Sequence, residues 1–199
     1  MERLRARVVD ELGFGFGWIS AEKPKLQLAS HALAEDGRVW LVDATDAPEL
    51  DERVRSLGDP AGVIQLLDRH NRDCAAVAAR LGIPHHRVPF GGVDGSPFEI
   101  VPVRRRFSWE EVALWWPQRR VLVVADALGT IRHYFAVGSE TIGVHPLLRV
   151  TPPRRLAGFA PEHVLVGHGE GVHENAAAAL RELWRTLVGG FRGCSRSCR

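Results

Sequence analysis

The sequence predicts a single α/β (α+β) domain in which β-hairpins occur beside parallel strand–helix–strand units. Three patterns carry this prediction. A polar turn at 35–37, ending in a glycine, separates the apolar segments 28–33 and 38–42, which favours a hairpin. The mainly apolar run at 62–67 is typical of a buried parallel strand. The segment 174–188 has the spacing of an amphipathic helix.

The remaining elements follow from turn residues and helix boundaries. A helix at 48–57 begins with a proline and is followed by Gly58, a usual start and stop for a helix. A second helix is expected at 73–81, because Gly82 follows an apolar run with helical spacing. Further strands are expected at 84–88, 98–103, 111–116, 120–125 and 162–166.

Composition excludes several classes of protein. The 199 residues carry 26 Lys+Arg and 24 Asp+Glu, and 45% are hydrophobic, which suits one globular domain. A disordered chain, a fibrous repeat and a small disulfide scaffold are excluded, and neither nucleic acid nor a membrane is expected as a partner. Because the N-terminus lacks a signal peptide's apolar core, a cytoplasmic protein is expected. We expect one domain at 1–190 and a disordered basic tail at 191–199.

Four landmarks, in their order along the chain, resemble the metallo-β-lactamase fold family. They are WLVDATD, a strand ending at Asp43; the strand, loop and helix of GVIQLLDRHNRDCAAVAARLG; VLVVADALGT, a strand ending at Asp126; and HVLVGHGE, a strand ending at His168. The resemblance covers about 28–187 and implies a four-layer αββα sandwich. It also implies a site at the strand ends between the two sheets.

The family's two-metal centre is built on an H-x-H-x-D-H motif, from which this sequence departs. The motif aligns with Asp68, His70, Arg72 and Asp73, in that order. A further family histidine aligns with Phe107. The residue types match the family's ligands at His70, Asp126 and His168. Asp68 and Asp73 remain possible ligands, because carboxylates bind divalent metals.

Arg72 stands where the family has an aspartate, and its guanidinium has no lone pair to offer a metal. A fixed positive charge there repels a second cation, so we expect no cofactor or at most one divalent ion: zinc, iron or manganese. The candidate ligands are His70, Asp73, Asp126 and His168. The remaining candidates, for a charge network or for ligand binding, are Asp43, Asp68, Arg69 and Arg72. We hypothesise that Arg72, helped by Arg69, pairs with Asp126 or Asp73 and replaces the metal charge.

Three functional interpretations follow from the resemblance and this departure. The first is a protein with a degenerate metal site, non-catalytic or repurposed to bind a small anionic molecule. The second is a mononuclear metal-dependent hydrolase acting on ester, thioester, lactone or phosphoester substrates. The third is a protein-interaction module or homodimer that uses Trp115, Trp116 and surface arginines.

Overall fold

The computed structural model of the chain describes residues 6–70, 72–106 and 108–193. In chain order, the strands are β1 (Ala6–Leu12), β2 (Gly15–Ser20), β3 (Ala29–Glu35), β4 (Arg38–Val42), β5 (Asp59–Gln65), β6 (His85–Arg87), β7 (Glu99–Arg106), β8 (Trp109–Trp116), β9 (Val121–Val124), β10 (Leu128–Gly129), β11 (Gly143–Val144) and β12 (His163–Val166). The α-helices are α1 (Asp51–Leu57), α2 (Cys74–Leu81) and α3 (Ala176–Gly193).

The first sheet has the strand order β1-β2-β3-β4-β5-β6. The strands β1 to β4 pair antiparallel, whereas β5 pairs parallel with β4 and β6 pairs parallel with β5. Both α1 and α2 pack on this sheet, burying Val54, Val77 and Ala78 against Leu41 and Val63. The helices lie there because a parallel crossover must return across the face of the sheet.

The second sheet has the order β12-β9-β8-β7, with β12 parallel to β9 and the other pairs antiparallel. The helix α3 packs on it through Leu180, Leu183 and Trp184, which share one continuous core with Trp40 and Trp116. The layers are helix, sheet, sheet, helix, so the predicted αββα sandwich is confirmed.

Two strand pairs were not predicted: the hairpin of β1 and β2, which extends the first sheet beyond β3, and the short pair of β10 and β11. The last three residues of the segment GFGFG begin β2, and its glycines hide the strand pattern. Every residue of that strand is buried. Close packing explains Gly17, because a Cβ there would lie 2.9 Å from Asp10 Oδ2 and 3.1 Å from His31 Nδ1.

The ends of the chain add two findings. The helix α3 continues to Gly193, past the expected domain end at residue 190, and the rest of the expected tail lies outside the described residues. Phe107 also lies outside them. Among the described residues, no helix combines the length and the apolar character that crossing a bilayer requires.

Candidate metal centre

Three side chains from the ends of three strands meet between the two sheets. His70 lies in the loop after β5, Asp126 follows β9 and His168 follows β12. His70 Nε2 is 2.6 Å from Asp126 Oδ1, and His168 Nε2 is 3.0 Å from the same oxygen. One ligand-type atom of each residue lies within 4.8 Å of the others, so the three side chains could hold a metal ion. Asp126 and His168, which follow different strands, therefore meet at one site between the sheets.

Asp43, at the end of β4, holds His70 from its other side. Its Oδ2 atom is 3.1 Å from His70 Nδ1, and its Oδ1 atom accepts a hydrogen bond from Leu66 N at 2.9 Å. Burial and the Arg72 charge disfavour a protonated His70, but the carboxylates of Asp43 and Asp126 raise the pKa of His70 to about 9. Asp43 thus contacts a backbone amide and also orients a member of the centre.

His168 is oriented by the backbone. Its Nδ1 atom donates a hydrogen bond to the carbonyl oxygen of Leu26 at 2.7 Å. Nε2 of the same ring faces Asp126, where it donates to the carboxylate in the protonated ring and has a free lone pair in the neutral one. Burial alone would raise the pKa of Asp126, but hydrogen bonds from His168 and His70 hold it well below its usual range.

Arg72 does not form the expected ion pair with Asp126 or Asp73, and that hypothesis is corrected. Its guanidinium donates instead to the carbonyl oxygens of Ala29 and Gly167, the latter at 2.6 Å. Ala29 begins β3 in the first sheet, and Gly167 follows β12 in the second. The partners of Arg72 are therefore backbone carbonyls at this junction, where we expected a carboxylate.

Asp68 and Asp73, the carboxylates of the aligned motif, bond to the backbone outside the three-residue cluster. Asp68 Oδ1 accepts from Glu110 N at 3.2 Å, which attaches the loop after β5 to β8. Asp73 is exposed, and its Oδ2 atom accepts from Asp46 N at 2.9 Å. Among the described residues, the group that could hold a metal comprises His70, Asp126 and His168, without these two carboxylates.

Glu111 was missed by sequence reasoning, although it is fully buried beside the centre. Its carboxyl group accepts from Ala127 N at 2.9 Å and from Trp109 Nε1 at 2.7 Å. Burial, aided by the nearby charge of Asp126, raises the pKa of Glu111 to about 8. The sequence did contain a signal for this residue, because Glu111 is an acidic residue in a strand candidate. It lies two positions after Trp109, so both side chains lie on the same face of the strand.

A wall of polar and aromatic groups extends from the centre. The Tyr134 ring lies 5.8 Å from the His168 ring, and the Arg69 guanidinium lies 3.7 Å from the centroid of the Trp109 ring. Arg69 therefore stacks on an aromatic face and does not help Arg72. Sequence reasoning did not select Tyr134, because only the fold brings the segment after β10 beside His168.

The tryptophan pair proposed as an interaction surface is largely covered within the chain. Trp116 is fully buried, and the half-buried Trp115 ring lies 5.0 Å from the Phe159 ring. The segment thus contributes mainly to the core of the domain.

Solved metallo-β-lactamases share the architecture of this chain. The DIM-1 metallo-β-lactamase superposes with a TM-score of 0.63 at 12% sequence identity, covering 93% of this chain and 99% of that one. TMB-1 gives 0.60 at 14% identity, covering 92% and 98%. A metallo-β-lactamase from Pontibacter korlensis gives 0.62 at 10% identity, covering 90% and 99%. No protein-family model and no curated protein sequence matches the chain. At such low identity these likenesses show the fold alone.

Proposed function

We propose that this chain, which has the metallo-β-lactamase fold, is a hydrolase that uses one divalent metal ion held by His70, Asp126 and His168. The observation that carries the proposal is the convergence of two imidazole nitrogens and one carboxylate oxygen within 4.8 Å. Two histidines and one carboxylate suit zinc, iron or manganese.

The hydrogen bonds behind these side chains support metal binding. Asp43 lies against Nδ1 of His70, and the Leu26 carbonyl accepts from Nδ1 of His168. Both rings therefore turn Nε2 towards Asp126. Outer bonds of this kind fix the orientation of ligating histidines and raise their basicity.

When bound, the ion would polarise the carbonyl or phosphoryl group of an ester, thioester, lactone or phosphoester substrate. The chain itself orients the ligand side chains and presents the Tyr134 ring beside His168. Arg72 limits the centre to one ion, because its charge lies close enough to oppose protonation of His70 and would likewise oppose a second cation.

One observation favours a metal-free centre, which corresponds to a degenerate, non-catalytic protein. His70 contacts a carboxylate through each ring nitrogen, and its pKa is raised to about 9. A protonated His70 would itself supply positive charge between Asp43 and Asp126. In that case no divalent ion is needed to offset the two buried carboxylates.

Metal analysis distinguishes these two functions. The protein, purified, stripped with a chelator and dialysed, is titrated with zinc, and bound metal is measured by elemental analysis. His86 lies in β6, outside the three-residue cluster, so His86→Gln is the control, and we expect about one equivalent in it and in the parent. We expect a clear loss in His168→Gln, since removing one of three ligands weakens a metal site. Two tightly bound equivalents would contradict the single-ion centre, and no bound metal would favour the metal-free one.

A further inference from the structure

A continuous row of rings and one guanidinium leads away from the candidate metal centre. The Tyr134 ring lies beside His168, at 5.8 Å, and the His145 ring lies 5.6 Å from Tyr134. The Trp109 ring lies 5.0 Å from His145, and the Arg69 guanidinium covers Trp109 at 3.7 Å. The row thus runs from the candidate metal centre to the exposed side chain of Arg69.

Three members of the row carry hydrogen-bond donors that no described residue occupies. His145 Nδ1 accepts from Leu147 N at 3.2 Å, so a neutral His145 carries its hydrogen on Nε2. Three groups have no hydrogen-bond partner within the described part of the chain: His145 Nε2, the Tyr134 hydroxyl and the Arg69 guanidinium. We call Arg69, Tyr134 and His145 the donor row.

Arg69 is held in a position suited to binding an anion. Its guanidinium face is stacked on Trp109, whose own Nε1 is bonded to Glu111 at 2.7 Å. Stacking occupies the face of a guanidinium and leaves the N–H groups at its edge free for two parallel hydrogen bonds. The side chain of Arg69 is exposed, so a solute can reach that edge.

The row also differs from an ordinary charged surface. Two other exposed arginines pair with carboxylates: Arg119 bonds to Glu35 at 2.9 Å, and Arg80 bonds to Asp46 at 3.0 Å. Within the described residues no carboxylate pairs with Arg69. A second imidazole, on the exposed His133, lies 6.1 Å from the His145 ring and adds another donor beside the row.

We propose that the donor row is an anion subsite, which binds a carboxylate or phosphate group of the substrate while the bond to be hydrolysed lies at the metal centre. The substrate class is therefore an anionic ester, thioester, lactone or phosphoester, and a cationic substrate is excluded. The hydrolytic role of the subsite rests on the proposed function, whereas the binding of an anion does not.

Anion binding is tested on metal-free protein, so that the anion cannot be held by a metal. The chelator is dialysed away, and inorganic phosphate and acetate are titrated separately in a calorimeter at constant ionic strength. We expect Arg69→Gln to weaken binding of the preferred anion by about tenfold, since a charge-assisted hydrogen bond is lost. His145→Phe keeps a ring against Trp109 and should weaken binding severalfold.

Arg185→Gln is the matched control, because it removes one positive charge from an exposed arginine of α3 that pairs with Glu182. It should leave the dissociation constant unchanged. Tighter binding of phosphate would assign a phosphorylated substrate, and tighter binding of acetate a carboxylate. The proposal is overturned if neither anion binds, or if Arg69→Gln binds as tightly as Arg185→Gln.

Zinc content measured on the same variants separates this proposal from the hydrolase. Arg69→Gln and His145→Phe should bind as much zinc as the parent, because neither residue belongs to the three-ligand cluster. If anion binding depends on Arg69 but the protein binds no zinc, the anion subsite is supported and the proposed hydrolase function is contradicted. If zinc binding is normal but the affinity for the anion does not depend on Arg69, the anion subsite is contradicted and the proposed hydrolase function is not.

Discussion

At the scale of single residues, Glu111 shows two effects acting against each other. Two N–H donors favour its charged form, yet complete burial and the charge of Asp126 favour the protonated form and raise its pKa to about 8. Between the ordinary carboxyl pKa of about 4.3 and that raised value, the unfolded chain is ionised while the folded chain keeps the proton. The folded state then binds more protons, so stability falls as pH rises through this interval.

Replacing Glu111 with Gln removes the titrating group and should flatten this part of the stability profile. As pH rises from 5 to 8, the free energy of unfolding of the variant should increase relative to that of the parent by on the order of 2–4 kcal/mol. The measurement is denaturant unfolding of metal-free protein at each pH. A misplaced amide hydrogen in the variant adds a cost that does not vary with pH, so the slope is the informative quantity.

Glu110→Gln is the control for that experiment, because Glu110 is the neighbouring and less buried acid. Its pH profile should run parallel to that of the parent. If the Glu111→Gln profile also runs parallel to the parent, then Glu111 does not titrate in this interval and the pKa assignment is wrong.

At the scale of one element, the packing of β2 requires a glycine at position 17, because there is no room for a side chain. Two buried polar atoms occupy the space beside it, Asp10 Oδ2 and His31 Nδ1. Asp10 also accepts hydrogen bonds from Gly171 N at 2.8 Å and from His173 Nε2 at 2.9 Å, so it cannot move away without breaking them. The hairpin of β1 and β2 is thereby joined to the loop that follows His168.

A methyl group at position 17 should therefore be costly. We expect Gly17→Ala to lower the free energy of unfolding by about 1–3 kcal/mol, because Asp10 and His31 would have to shift within a packed sheet. Gly13→Ala is the matched control, since a Cβ at Gly13 meets nothing within 4 Å. Thermal unfolding of both variants compares them, and equal melting temperatures would show that the space is not constrained.

At the scale of the whole molecule, Arg72 connects the two sheets. Its guanidinium bonds to the carbonyl oxygens of Ala29 and Gly167, and a longer contact of 3.5 Å reaches the Asp43 carbonyl. These carbonyls lie at strand ends of both sheets, where no regular ladder can satisfy them fully. The arginine thus acts as a structural connection as well as a charge beside the candidate metal centre.

Arg72→Ala should lower the free energy of unfolding by about 2–3 kcal/mol, because hydrogen bonds from a charged group to partly buried carbonyls are lost. Arg72→Lys should recover part of the lost free energy of unfolding, because lysine keeps a charged donor. The recovery should be incomplete, since an ammonium group cannot reproduce the planar guanidinium fork. Arg80→Ala is the comparison, as Arg80 forms ion pairs at the surface that are worth about 0–1 kcal/mol. A loss no larger than that of Arg80→Ala would contradict the connecting role.

Apart from the short strands β10 and β11, the order of the strands and helices after residue 28 could be predicted because it depends on local patterns. The apolar run of β5, the glycine after α2 and the polar turn before β4 each follow from neighbouring residues. The same patterns, with Asp43, Asp126 and His168 at strand ends, carried the resemblance to the αββα fold. The β1–β2 hairpin escaped this reasoning, because glycines required by close packing remove the alternation that marks a strand.

The landmarks in the sequence predicted the layered fold and placed His70, Asp126 and His168 among the candidate ligands, together with Asp73, which lies outside the three-residue cluster. Only the tertiary structure decided the partners of charged groups. Arg72 carries the same charge whether it faces Asp126 or the carbonyls of two sheets, and Arg69 could have joined it or stacked on Trp109. Side-chain partners are chosen by distances of a few ångströms between segments far apart in the chain, and local spacing contains no information about those distances.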